Sequence, residues 1–240
     1  MKLRLFSTMV LILVFTPYVR GQQDGRALIH IFPQFADGRS SDGSYYRSTV
    51  MASNPSDILA SSCTASIYVA GLSSPVTGLY TLQANQWILD ASFGTTPFVS
   101  GYLTLSCTQP INASLVYSFY SAQGVKLGEA TVFSSIPGRR TQILADQTEG
   151  ARLGLAIVND NSVDVVASIN VGDTSGQIAA SRTHNIRAKT NIAGFLSELT
   201  GFQGSQGQVL IDCGDSPCAS IGLRYTGAVF TTIPSTVRIQ

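Results

Sequence analysis

The chain has 240 residues, with 15 Lys and Arg against 14 Asp and Glu, a formal charge of +1. That balance excludes the concentrated basic face that nucleic-acid binding requires, and it gives no electrostatic attraction to an anionic membrane surface. Only 12% of residues are charged, too few for the solvated faces of a helical bundle, and the wealth of Ser, Thr, Gly, Val and Ile points to an all-β chain.

Residues 1–21 read as a signal peptide. Lys2 and Arg4 precede an apolar stretch from Leu5 to Phe15, Pro17 follows it, and Gly21 offers a small residue before a cut. The stretch is about eleven residues, too short for a hydrocarbon core of about 30 Å. A mature chain starting near Gln22 is expected, secreted or periplasmic, without a transmembrane segment.

Beyond Gln22, short alternating runs are separated by turn clusters at Asp37–Gly43 and Asn54–Asp57 and later at Asn159–Ser162 and Asp173–Gly176. Asn, Asp, Gly and Pro tolerate or pre-set turn dihedrals, so this is the pattern of antiparallel strands. Val50-Met51-Ala52-Ser53-Asn54 ends one strand, and Trp87, beside Ile88 and Leu89, is expected in the core. Leu103, Leu105 and Cys107 alternate with Tyr102, Thr104 and Ser106, and Ile111, Ala113, Leu115, Tyr117 and Phe119 form a second alternating run. The polar stretch Ser121–Gly128 suits a hairpin loop.

The series then starts again near Gly138-Arg139-Arg140. Val50–Asn54 matches Leu155–Asn159, and Ser66-Ile67 matches Ser168-Ile169. Gly101–Cys107 recurs as Gly207–Cys213, and Ala113-Ser114 falls on Ala219-Ser220, each pair preceded by a proline turn. Val132–Pro137 returns as Val229–Pro234, at a smaller spacing because the first copy carries extra residues around Ser121 to Gly128. The run Ala219, Ile221, Leu223 and Tyr225 pairs with Ala113, Leu115 and Tyr117. The sequence therefore predicts two tandem antiparallel β-sandwich domains, immunoglobulin-like or related, at 22–137 and 138–240. No flexible linker separates them, so packed copies are expected. One helix-like stretch, Ile192–Leu199, interrupts the second copy.

Four cysteines, Cys63, Cys107, Cys213 and Cys218, favour disulfides in an exported chain. Of three pairings, the economical one joins Cys63 to Cys107 and Cys213 to Cys218, one bridge per copy. Zinc is disfavoured, because both histidines lie far from the cysteines in sequence.

The boxes Phe35-Ala36-Asp37-Gly38, Ser53-Asn54-Pro55 and Phe230-Thr231-Thr232-Ile233-Pro234 resemble those of a recurring type of bacterial secreted tandem β-sandwich domain. Leu144-Ala145-Asp146 and Val158-Asn159-Asp160 echo the first two boxes, and Ala193–Leu199 also resembles such domains. The resemblance implies an exported sandwich and carries over no catalytic residue.

A hydrolytic triad would need His30 or His184, the only two histidines, and no Gly-x-Ser-x-Gly elbow is present. His184 lies in a polar strand and is expected to face solvent. The Gly-rich Gly201–Gly207 lacks the Lys-Ser/Thr ending of a phosphate loop and reads as a flexible connection. Asp90 is the acid worth locating for glycoside cleavage. Asp37–Gly43 and Asn159–Asp164 carry hard oxygen donors, but such residues also build ordinary turns, and the turn reading is favoured. Tyr45, Tyr46, Trp87, Tyr102 and Tyr120 are the candidates for a sugar platform. Asn112-Ala113-Ser114 fits a glycosylation sequon inside a predicted strand. No catalytic residue, cofactor or metal is expected. The expected role is structural, adhesive or partner-binding, toward a protein or glycan at the cell envelope, through the Ser121–Gly128 loop and turn tips. A carbohydrate-binding protein is the alternative.

Overall fold

A computed structural model of the chain describes residues 26–238, so the expected signal peptide lies outside the described residues. The first half contributes β1 (Arg26–Arg39), β2 (Tyr45–Ser53), β3 (Ser61–Val69), β4 (Val76–Leu82), β5 (Trp87–Ala91), β6 (Val99–Tyr120) and β7 (Lys126–Phe133). The second contributes β8 (Arg140–Asp146), β9 (Arg152–Asn159), β10 (Val165–Gly172), β11 (Ile178–Ile186) and β12 (Thr190–Phe195). After α1 (Leu196–Thr200) it continues with β13 (Gln206–Asp212), β14 (Ala219–Thr226), β15 (Val229–Pro234) and β16 (Thr236–Val237). The fold is all-β and its strand ladders are antiparallel. The expected helix is shorter than its pattern: Ile192–Phe195 pair with β9, and only the next turn is helical. Four apolar residues cannot by themselves distinguish the end of a strand from the start of a helix.

The long β6 organises the first half. Its early residues lie between β1 and β3, with Leu103 opposite Phe32 and Ile67. Its late residues lie between β2 and β7, with Leu115 opposite Val50 and Val132. One curled sheet thus forms two layers, ordered β4-β3-β6-β1 and β5-β2-β6-β7. In the second half the matching layers are β11-β10-β13-β8, extended by β16, and β12-β9-β14-β15. The strand order repeats throughout. It differs from the immunoglobulin order, in which the first, second, fifth and fourth strands share a sheet. The expected proline turn exists only in the second half, where the Cys213–Cys218 bridge spans it. Pro110 instead stays inside β6, exposed, beside the register shift between Ala27 and Ile29 of β1. A residue with no N–H fits where the ladder is irregular.

Two local devices recur in both halves. Asn54 donates to the carbonyls of Leu59, Leu82 and Gln83 and accepts from the Ser56 N–H. Asn159 donates to Val163, Ile186 and Arg187 and accepts from Asn161 N–H. Both are buried, and each ties the end of one layer to the loop entering the next. Gly101 and Gly207 form the second device. A Cβ would stand 1.8 Å from the Tyr68 carbonyl oxygen at the first and 2.6 Å from the Gly172 carbonyl oxygen at the second. Only glycine lets those strands approach so closely.

The register corrects three sequence matches. Ala65, opposite Leu105, corresponds to Ile169, opposite Ile211, so Ser66-Ile67 matches Asn170-Val171 rather than Ser168-Ile169. A slip of two preserves the side-chain face and is invisible to an alternating pattern. Ala113, opposite Ala52, corresponds to Ser220, opposite Ile157, so Ala113-Ser114 matches Ser220-Ile221. That slip of one exchanges the faces. Phe133 lies opposite Ser114 and Pro234 opposite the corresponding Ile221, so the match of Val132–Pro137 to Val229–Pro234 is four residues out of register. In β14 it is Ser220 and Gly222 that face the second half's own core, where the Ser220 hydroxyl meets that of Thr141 at 2.8 Å. Ala219, Ile221, Leu223 and Tyr225 face the first half.

The two halves consequently share an interior. Phe32, Leu103, Leu105, Ile111, Leu115 and Val132 pack in one cluster with Ala156, Ile221, Leu223 and Phe230 of the second half. Phe230 enters beside Tyr117, with ring centroids 5.1 Å apart, and closes on Gly128. A separate cluster of Ile143, Leu155, Ile157, Ile169 and Val209 fills the second half. Tyr102 is fully buried where Ile31 meets Val158 and Ala219, and its hydroxyl donates to Asp160 across the halves at 2.9 Å.

Candidate functional site

The four cysteines form the bridges Cys63–Cys107 and Cys213–Cys218. The first links directly opposed residues of β3 and β6, and the second closes the β13–β14 connection. Among the described residues, no helix is long and apolar enough to cross a membrane.

The residues singled out for chemistry are mostly engaged in structure. His30 is buried; its Nε2–H donates to the Ile111 carbonyl at 3.1 Å. Burial holds its pKa below the usual 6.5, against the opposing pull of the Ile111 and Ala27 carbonyls. His184 is half-buried rather than solvent-facing, and its Nε2–H donates to the Leu199 carbonyl at 2.8 Å. Neither imidazole has an acid or a nucleophile among these partners. Asp90 accepts from the Tyr80 hydroxyl, and burial, reinforced by Asp90, pushes that phenol up to about 12.

The acidic loop residues are engaged in hydrogen bonds and ion pairs within the fold. Asp42 accepts from the Ser44 hydroxyl and N–H, which hold its carboxyl below the usual range. Asp37 accepts from the Gly94 N–H and Thr96, and Asp164 accepts from the Ala188 N–H. Asp160 is paired with Lys189 at 3.0 Å and with Tyr102. Among the described residues, no group of three or more His, Cys, Asp or Glu converges. The Gly201–Gly207 connection is packed rather than free: Phe202 is buried and lies against Gly204.

The aromatic candidates separate into three environments. Tyr46 faces inward, stacked on Tyr117 and Phe119 with centroids 5.1 and 4.6 Å away, and burial raises its pKa. Tyr102 is interior. Tyr45 and Tyr120 stack on each other at 4.8 Å, with Arg39 over the first ring and Lys126 near the second. Their faces are occupied. Trp87, expected in the core, is instead 65% exposed.

Trp87 belongs to an apolar strip on the outside of the β5-β2-β6-β7 layer. Leu89 lies opposite Met51, Met51 opposite Ser114, and Ser114 opposite Phe133, making one row across four strands. Opposed residues share a face, so the row projects outward while Ile88 and Leu115 point inward. Leu89, Phe133 and Met51 are 55%, 49% and 40% exposed. The next row is Trp87, Ser53 and Asn112, and the third holds Ala91, Thr49, Val116 and Thr131. A shallow depression of about 400 Å³ between Trp87, Met51, Leu89 and Asn112 has no charged lining residue. The sequon side chains Asn112 and Ser114 also lie here. β5 is a sheet edge of five residues, paired only with β2; it carries no Lys or Pro, and its one charge, Asp90, is tied to Tyr80. The alternation of Trp87 and Leu89 about Ile88 carried this signal, but a tryptophan among aliphatic residues reads equally well as core.

Comparison of the chain with protein-family models, with curated proteins and with solved structures returns no match.

Proposed function

We propose that this is an exported, non-enzymatic, partner-binding β protein of the cell envelope, and that its docking surface is the outer strip of Trp87, Leu89, Met51 and Phe133. One observation carries the reading: Trp87, Leu89 and Met51 stand exposed in adjacent positions, with exposed Phe133 beyond Ser114 in the same row, on a sheet layer whose edge strand is open. Contiguous patches of a few hundred Å² on soluble proteins are commonly interaction sites. Covering these four side chains contributes roughly 3 to 6 kcal/mol before the cost of association. The two disulfides and the expected signal peptide support export. A protein partner is favoured over a sugar because no second aromatic ring lines the depression beside Trp87 and the stacked Tyr45 and Tyr120 have no free face.

The test is affinity capture of envelope proteins by the mature chain, followed by affinity measurement of the partner against Trp87→Ser/Leu89→Ser. A glycan array is run in parallel. A loss of about tenfold or more in the double variant, with none in exposed Leu144→Ser on the second half, is expected. Unchanged affinity, or array binding that depends on Trp87 with no protein partner, would refute the reading.

A further inference from the structure

A second site lies where the halves meet. The β3–β4 turn of the first half and the β11–β12 connection of the second face each other across a cleft of about 720 Å³. That volume lies within the span of about 300–1,000 Å³ typical of small-ligand sites. It is separate from the apolar strip, sharing no residue with the depression beside Trp87. Its chemistry is also different.

Arg187 and Lys189 line the cleft, and no acidic residue does. Lys189 is neutralised by Asp160, which also accepts from Tyr102, so this wall is braced by a bond network crossing both halves. Arg187 is exposed, and among the described residues its guanidinium has no hydrogen-bond or ion-pair partner. The opposite wall presents the hydroxyls of Ser73 and Ser74, and Asn191 adds an amide, all without side-chain partners. Leu72, 57% exposed, supplies apolar surface between these polar groups. Tyr68 stacks on buried Tyr102 at 4.5 Å and has the Lys189 ammonium 5.9 Å from its ring centroid, so it braces this wall rather than offering a free face.

We propose that this cleft binds an acidic saccharide, with Arg187 taking the carboxylate of a uronic acid. The serine hydroxyls and the Asn191 amide meet sugar hydroxyls, and exposed Leu72 covers an apolar ring face. A guanidinium matches a carboxylate in a bidentate fork. Unpaired hydroxyls and amides spaced around small apolar surfaces match a polyol better than a peptide, whose side chains need deeper apolar recesses.

Titration calorimetry of the disulfide-intact mature chain with tetragalacturonate, and with its fully methyl-esterified form, tests the assignment. The acid is expected to bind, and the neutral ester about tenfold or more weaker. Arg187→Gln is expected to reduce acid binding to the level of the ester, Arg187→Lys to recover part of the loss, and Trp87→Ser to change nothing. Circular dichroism of each variant checks that it is folded. Absence of binding by the acid, equal binding of acid and ester, or retention of full affinity in folded Arg187→Gln would each overturn the proposal. Loss in Trp87→Ser alone would move sugar binding to the strip and overturn it as well, leaving the protein-docking reading to be judged by its own assay.

Discussion

Replacing Asn54 or Asn159 by alanine should damage the two halves alike, because each amide closes the same junction. In each, the amide donates one hydrogen bond to a buried carbonyl (Leu82 or Ile186), and its other hydrogen bonds are with partly buried groups. A buried carbonyl left without a donor costs about 1–3 kcal/mol, and each partly buried bond, whose groups can turn to water, about 0.5–1. The sum is about 2.5–6 kcal/mol for Asn54→Ala and a similar range for Asn159→Ala. Asn→Asp keeps the shape but removes both N–H donors and sets a carboxylate against three carbonyls, so it should cost at least as much. Urea unfolding with the disulfides intact reads the loss, with Asn112→Ala, on the outer face, as a control expected within about 0.5 kcal/mol. If either alanine variant costs under about 1 kcal/mol, or the two differ by more than about 2, the two junctions do not bear equivalent loads and the reasoning fails.

The Cys63–Cys107 bridge closes a separation of 44 residues and Cys213–Cys218 one of 5. By loop entropy their removal as paired alanines should cost about 4 and about 2 kcal/mol, measured by unfolding under non-reducing conditions; a larger loss from the short loop would contradict this. Buried His30 should make the fold acid-sensitive. Its folded pKa is depressed, so its contribution is fully present above the unfolded value near 6.5 and is lost as pH falls from there toward the folded pKa. His30→Phe should flatten the stability profile in that window, and an unchanged slope would assign the acid sensitivity to other groups.

The class of fold, the repeated strands and the economical cysteine pairing were legible because each rests on local chemistry: alternation, turn residues, and glycines or asparagines kept at matching points. Asn54 and Asn159 stand out as residues because nothing but a buried amide serves both carbonyls and N–H at that corner. What alternation could not convey is which side of a strand meets which neighbour. Ala219, Ile221, Leu223 and Tyr225 read as the second half's own interior, yet Gly222 and Ser220 occupy that side, leaving room for Ile143 and Leu153. Trp87 reads as core for the mirror-image reason, an apolar row turned outward on an edge layer looking the same in sequence as one turned inward. The strip and the inter-half cleft both depend on residues brought together by strand order, which no local pattern encodes.

The second half completes the interior of the first. Hydrogen exchange followed by mass spectrometry on Phe230→Ala addresses it directly, since Phe230 sits on β15 yet packs against Tyr117 and Gly128. Truncating a buried Phe costs about 3–5 kcal/mol. Faster exchange should therefore appear across 112–133 of the first half as well as in β14 and β15. Acceleration confined to β14 and β15, with 112–133 as protected as before, would contradict the shared interior.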